Sequence, residues 1–253
     1  MMVTAYDEPS ARWADAAGVD LLLVGDSLAN VVLGQPDTLQ VTVEEMAHHV
    51  RAVAMAHPAA HIVADLPWLS YHLGEVDAVR NAAHLVRAGA QSVKLEGGRR
   101  RTNVVRAIVD AESPVMGHLG LTPQSVLAFG GFKVQAKTRE AAAALVDDAL
   151  ALQEAGVFAV VIEGVPPVVG TAVTEALDVP TIGIGAGPDT DGQVLVFHDL
   201  LGLSGRAPAK FVRQYADLGS AITEAVSRYA ADVRAGAFPS EAEVYATPPE
   251  LLD

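Results

Sequence analysis

Cysteine is absent from all 253 residues of the sequence. That single absence excludes a disulfide framework, a thiolate metal site and a cysteine nucleophile. Basic residues are also few, with 17 lysines and arginines against 31 acids, and the formal net charge is −14. Such a chain repels a phosphate backbone, and no basic cluster interleaved with aromatics offsets the repulsion, so nucleic acid is not expected as a partner. Arg99-Arg100-Arg101 is the only cationic run. On an expected loop it reads as solvated surface or as an anion contact. Long apolar stretches are missing too: hydrophobic residues make up 51% of the chain, but none of their runs approaches the ~20 residues that a bilayer crossing needs. The start, Met-Met-Val-Thr-Ala-Tyr-Asp, has neither a cationic beginning nor an apolar core, so neither a secretory signal nor a transit peptide is expected. A soluble cytoplasmic protein with no membrane association is the resulting expectation.

What the sequence does contain is one repeated unit, a short β-branched or leucine-rich run followed by an alanine-rich segment with helical spacing. Strands are expected at Val3–Ala5, Leu21–Val24, Ile62–Ala64, Ser92–Leu95, Val115–Gly117, Phe158–Ile162, Thr181–Ile184 and Val194–Phe197. Helices are expected at Glu8–Ala17, Val43–Ala56, Glu75–Ala88, Asn103–Ala111, Arg139–Ala155, Val168–Leu177 and Leu218–Ala235. Strands this apolar, without alternation, suit a parallel sheet covered by helices. Eight of them alternating with helices point to a (β/α)8 TIM barrel, a length of chain compatible with one domain over residues 1–253. An open doubly wound sheet would carry G-x-G-x-x-G after its first strand. Here that strand runs into Tyr6-Asp7-Glu8. The late glycine cluster at Gly183, Gly185 and Gly187 fits either an anion-binding loop or a tight strand-to-helix turn. Residues 239–253 read as a polar, proline-bearing C-terminal tail lying on the surface or partly mobile.

Four acids stand at the ends of these apolar runs: Asp26 in Leu-Val-Gly-Asp-Ser, Asp65 in Val-Ala-Asp-Leu-Pro, Glu96 in Val-Lys-Leu-Glu-Gly-Gly and Glu163 in Val-Ile-Glu-Gly-Val-Pro. Any one alone reads best as a helix cap. Four converging on one barrel mouth repel each other and lose hydration, so a cation must neutralise them or some must take up protons. An all-oxygen site favours Mg²⁺ or Mn²⁺ over Zn²⁺. Lys94, two residues before Glu96, shares its strand face and either balances a carboxylate or binds an anionic group. His118 reads as a structural group or a substrate contact. Ser27 reads as a helix cap or a donor to the same ligand. Glu163 has Val160, Val161, Ile162, Val165 and Pro166 as sequence neighbours, which suggests an apolar setting.

The series Thr-Ala-Tyr6-Asp7, Gly-Asp26-Ser27, Ala-Asp65-Leu-Pro67, Lys94-Leu-Glu96-Gly-Gly, Gly-His118-Leu-Gly-Leu-Thr-Pro-Gln-Ser, Gly-Gly-Phe-Lys-Val-Gln135 and Gly-Ile-Gly-Ala-Gly closely resembles the ketopantoate (3-methyl-2-oxobutanoate) hydroxymethyltransferase family of pantothenate biosynthesis. The resemblance runs from about Val3 to about Phe238 and rests on many motifs in order. It implies a phosphoenolpyruvate-type barrel that transfers a hydroxymethyl group from 5,10-methylenetetrahydrofolate to 3-methyl-2-oxobutanoate through a Mg²⁺-stabilised enolate. By motif match it implies Asp26 and Asp65 as metal ligands with Glu96 at or near the metal. Asp26, Ser27, Asp65, Lys94 and His118 would contact the 2-oxo acid, and Glu163 would be the general base. A homo-oligomer, a decamer of paired barrels, is implied as well.

The sequence departs from that pattern in beginning almost at the first strand, in Ala-Lys-Thr after Gln135, in Gly164 after Glu163, and in its tail. A metal-dependent carbon–carbon lyase acting on 2-oxo acids in the same barrel superfamily is the competing enzyme reading, although the lack of cysteine counts against members that use one as an acid. A catalytically silent barrel is the third, and the four intact acids argue against it.

Overall fold

The computed structural model describes residues 1–205 and 207–246. Eight parallel strands close into a barrel in chain order: β1 (Met2–Thr4), β2 (Leu21–Val24), β3 (His61–Asp65), β4 (Ser92–Glu96), β5 (Val115–Gly120), β6 (Ala159–Glu163), β7 (Thr181–Ile184) and β8 (Gly192–Leu195). β8 pairs with β1 through Met2 opposite Val194, which removes both sheet edges. The expected barrel is borne out. The last strand begins two residues earlier than the apolar run suggested, because Gly192 and Gln193 pair with Ile182 and Gly183 and backbone pairing needs no apolar side chain. Phe197 lies beyond it, its N–H donating to Thr4 Oγ1.

Contacts divide the chain into two units. The first, Met1–Phe197 with Pro208–Val212, holds the barrel. The second, His198–Ala207 with Arg213–Asp253, contains the helix Leu218–Ala235, which is N-capped by Asp217 and carries a stripe of solvent-facing Leu218, Ile222, Val226, Tyr229 and Val233. Residues 247–253 of the expected tail lie outside the described residues. No helix among the described residues is long and apolar enough to cross a membrane.

Helix ends follow local chemistry where the sequence supplies it. The helix Val43–Ala54 starts at a capping box in which Thr42 accepts from the Glu45 N–H and Glu45 reaches back to Thr42. Glu75–Ala88 buries Ala78, Ala82, Leu85 and Ala88 on one face and stops at Gly89, whose φ of +121° suits glycine. A Cβ at Gly89 would lie 2.5 Å from that of Ala54, so glycine also lets these two helices meet.

Inside the barrel, Met2, Leu23, Val63, Met116, Ala159, Val161, Ile182 and Val194 form a continuous apolar plug. Each of these side chains other than Ala159 contributes roughly 1.5–3 kcal/mol on burial. Register then fixes what stands above it at the strands' C-terminal ends. Asp65 pairs with Lys94, Glu96 with His118, and Gly120 with Glu163. Gly120 has a φ of +91°, and a Cβ there would lie 2.2 Å from the Glu163 carbonyl oxygen. Gly120→Ala is therefore expected to cost roughly 2 kcal/mol or more and to lower the melting temperature by several degrees in calorimetry; an unchanged melting temperature would contradict this close approach of β5 and β6.

Candidate active site

Period-two alternation sends Lys94 and Glu96 of β4, His118 of β5 and Glu163 of β6 to the barrel interior, where Asp65 of β3 meets them. Asp26 follows β2 by two residues. Asp26, Asp65, Lys94, Glu96 and His118 are each only 3–4% exposed. Glu163 is slightly more open, with 15% of its side chain accessible.

The members form one connected chain. The Asp26 N–H donates to Asp65 Oδ2 at 3.0 Å, so Asp65 fixes the turn that carries Asp26. Asp65 Oδ1 lies 2.7 Å from Lys94 Nζ. Lys94 Nζ is 3.2 Å from His118 Nδ1, which stands 3.5 Å from Glu96 Oε1. On the other side of the ring, His118 Nε2 is 3.1 Å from Glu163 Oε2. The Asp65–Lys94 and His118–Glu163 contacts have ion-pair distances but miss hydrogen-bond angles, which leaves Asp65 Oδ1 and His118 Nε2 without a hydrogen-bond partner.

Burial decides the electrostatics. It pushes the Asp26 carboxyl well above the usual carboxylate range, and the negative charges of Asp65 and Glu96 push it further. For Lys94, burial works against the ammonium, but Asp65, Glu96 and Asp26 outweigh it and the net direction is up. Burial and the Lys94 charge likewise oppose a charged His118, while its contacts with Glu163 and Glu96 carry its pKa up to about 9. A protonated ring then offers Nδ1–H towards Glu96 and Nε2–H towards Glu163.

Gln124 is the residue the sequence reading left without a role. It lies in a 3₁₀ turn, Pro123–Ser125, after β5. Its Nε2 donates to Asp26 Oδ2 at 2.8 Å and to the Leu66 carbonyl at 3.0 Å, and its backbone N–H donates to Glu96 Oε2 at 3.0 Å. Tyr71 completes the set, its hydroxyl donating to Gln124 Oε1 at 2.6 Å and accepting from the Glu96 N–H. One neutral residue thus positions two of the acids, Asp26 through its side chain and Glu96 through its backbone. Its only sequence signal is the Thr-Pro-Gln-Ser turn.

Other expectations are sharpened. Ser27 makes no side-chain cap to the short helix Leu28–Val31; its Oγ lies 2.8 Å from the Tyr6 hydroxyl at the edge of the site. Glu163 faces His118 rather than a purely apolar shell, because Val160 and Ile162 point to the opposite face of β6. The late glycines have packing reasons: a Cβ at Gly187 would lie 2.7 Å from Pro167, and one at Gly185 2.7 Å from Phe211.

The donor set fits a divalent cation. Four carboxylates face two cationic groups, and Asp26 and Asp65 are neighbours joined through the Asp26 N–H and an Asp65 oxygen. Among the described residues no group of three or more His, Asp or Glu is arranged to enclose a metal by itself. Two carboxylates with the remaining positions left to water and substrate suit Mg²⁺, which is usually held in that way.

A family model described as ketopantoate hydroxymethyltransferase matches residues 1–241. The 3-methyl-2-oxobutanoate hydroxymethyltransferase 2 of Bradyrhizobium diazoefficiens is 55% identical over 251 residues, covering 99% of this chain and 86% of the relative. The enzyme of that name from Ignicoccus hospitalis is 57% identical over 241 residues, covering 95% and 91%. Among solved structures, 2,3-dimethylmalate lyase of the PEP mutase/isocitrate lyase superfamily has a TM-score of 0.62 at 19% identity, covering 99% of this chain and 86% of that one. Phosphonopyruvate hydrolase, solved with oxalate and Mg²⁺, has a TM-score of 0.61 at 16% identity, covering 97% and 86%. These two likenesses are of fold, and they agree with the phosphoenolpyruvate-type barrel expected.

Removing Lys94 would leave Asp65 buried beside two other acids without its counter-ion. Lys94→Met is expected to lower stability by about 3–5 kcal/mol in urea unfolding without divalent cations, and adding Asp65→Asn is expected to restore a good part of it. Equal stability of Lys94→Met and the parent would contradict the pairing.

Proposed function

This chain belongs to the ketopantoate hydroxymethyltransferase family, and on that footing we propose that it transfers the one-carbon unit of 5,10-methylenetetrahydrofolate to 3-methyl-2-oxobutanoate, giving 2-dehydropantoate. The observation that carries the reading is the separation of two carboxylate roles within one connected cluster. Asp26 and Asp65 sit together at one end, and Glu163 stands at the other, with Lys94 and His118 between them.

The chemistry requires a proton to leave the carbon beside a ketone and negative charge to be stabilised as it does so. Asp26 and Asp65 would hold Mg²⁺ or another divalent cation, with Glu96 beside them, its oxygens facing the Gln124 N–H and His118. Bound there, the cation supplies Lewis-acid polarisation of a 2-oxo carbonyl. Lys94 and His118, with Ser27 at the edge, orient the anionic 2-oxo acid, and Tyr71 and Gln124 keep the acids in place. Glu163 takes the C3 proton, its carboxylate aligned by His118. Carbon C3 then forms a bond to the donor's methylene carbon, the methylene's two bonds to nitrogen break, water provides the new hydroxyl, and the two nitrogens take up the proton released from C3 and the one left over from water. The apolar plug of Met116, Val161 and their neighbours fills the barrel below the site. The same reading takes the enzyme to be a cytoplasmic homo-oligomer.

Deuterium exchange at C3 isolates the proton transfer from the folate step. Glu163→Gln is expected to slow exchange by ~10²–10⁴-fold while divalent cation binding persists, as read by NMR of 3-methyl-2-oxobutanoate in D₂O. Undiminished exchange would remove Glu163 as the base. Formation of 2-dehydropantoate should require both Mg²⁺ and methylenetetrahydrofolate.

A further inference from the structure

Beside the acids, at the C-terminal end of β4, lies a cavity of about 400 Å³ with the opposite electrostatic character. Its walls include Tyr71, His72 and the three arginines 99–101, and it reaches the buried Glu96 and Gln124 of the site just described. In a chain of net charge −14, this is where three consecutive arginines are placed.

Two of the three arginine side chains are held in position. Arg99–Arg101 form a 3₁₀ turn directly after Gly97-Gly98. A Cβ at Gly98 would lie 2.2 Å from Asp148 Cγ, so glycine admits that carboxylate against the turn. Asp148 Oδ1 accepts from both the backbone N–H and the Nε of Arg99, at 3.1 Å each. Arg99 is thereby neutralised. The Arg101 guanidinium lies 5.6 Å from the centre of the Tyr71 ring, a cation–π seat. Arg100 makes no ion pair among the described residues. Two cationic forks therefore remain for a ligand.

The wall between them is also short of partners. His72 Nδ1 is buried with no hydrogen-bond partner, and burial together with the Arg101 charge pulls the ring down to about 4, so it is neutral near pH 7. Ser125 accepts from Thr122 Oγ1 and keeps its own hydroxyl proton to donate. Such a lining selects an anion with several acceptor oxygens. Its volume is of the size that holds a drug-sized molecule, larger than a five-carbon 2-oxo acid needs. Sharing Glu96 and Gln124 with that cluster, it suits the far end of a longer molecule whose reactive end lies at the barrel mouth.

We infer that this arginine-lined cavity is the subsite for the carboxylate-bearing glutamyl tail of the one-carbon donor. The inference rests on the proposed folate-dependent reaction and adds to it where the donor is held. Guanidinium groups recognise carboxylates through paired N–H donors, and Arg100 and Arg101 are placed to do so, with His72 and Ser125 on the same wall. A donor with several γ-linked glutamates offers more carboxylates and is held more tightly.

The test compares monoglutamyl and triglutamyl methylenetetrahydrofolate with the parent enzyme, Arg100→Gln, and the double variant Arg100→Gln/Arg101→Gln. The Michaelis constant for the donor is expected to rise about threefold in the single variant and about tenfold in the double. The parent's preference for the triglutamyl donor should shrink, while the Michaelis constant for 3-methyl-2-oxobutanoate and donor-free C3 exchange stay as in the parent. The single variant at exposed Arg100 guards against a folding defect. Unchanged donor constants, or an unchanged preference, would overturn the subsite. If the parent neither exchanges C3 nor forms product, the functional reading fails by itself. Calorimetric titration with triglutamyl 5-formyltetrahydrofolate then decides the subsite: weaker binding in the double variant supports it, and equal binding overturns it.

Discussion

Desolvation of like charges is the constraint on which the rest of this structure depends. Asp26, Asp65 and Glu96 are nearly inaccessible, and Glu163 is close behind. In that setting carboxylates destabilise one another unless each has a partner. Asp65 is the keystone, because one of its oxygens holds the Asp26 backbone and the other faces Lys94. Gln124 does the same for Asp26 and Glu96 with neutral donors. Even so, negative groups outnumber positive ones, and burial, followed by the charges of Asp65 and Glu96, pushes the Asp26 carboxyl above the usual carboxylate range. On the proposed reading, a divalent cation at Asp26 and Asp65 would relieve that surplus, and metal affinity would follow from how the acids are buried.

The barrel supplies the geometry that makes such crowding possible. Below the acids, the plug from Met2 to Val194 is apolar and contributes stability without asking anything of the site. Above it, register alone decides that Asp65 faces Lys94, Glu96 faces His118 and Gly120 faces Glu163. The stabilising layer and the strained layer are thus separate along the same strands. Gly120, with no side chain to clash, lets β5 and β6 approach closely where His118 and Glu163 must meet. Next to this negative mouth, the Arg99–Arg101 turn gives a positive wall. The two signs stand side by side, with Glu96 and Gln124 at their boundary.

Much of this was legible in the sequence because it is set by local periodicity. Lys94 and Glu96 had to share a face once their run was a strand, and the starts of the helices at Val43 and Glu75 matched the expected ones. Apolar strands in alternation with helices led to the barrel. Three features of the site were not legible. Gln124 carries no charge and bonds to Asp26 across 98 residues, so nothing local marks it. Ser27 read equally well as a cap until its hydroxyl was found beside Tyr6. The surroundings of Glu163 looked apolar because its sequence neighbours are, yet alternation turns Val160 and Ile162 away and leaves His118 opposite. The short helices Leu28–Val31 and Val126–Phe129 are too brief to show a period.

The central claim, that the buried Asp26–Asp65 pair forms a cation site because it carries uncompensated charge, is tested most directly by titrating the protein with Mn²⁺ and following free ion by electron paramagnetic resonance. The account predicts one site per chain, competed by Mg²⁺ and lost in both Asp26→Asn and Asp65→Asn. Absence of binding to the parent protein, or full binding in either variant, would contradict it.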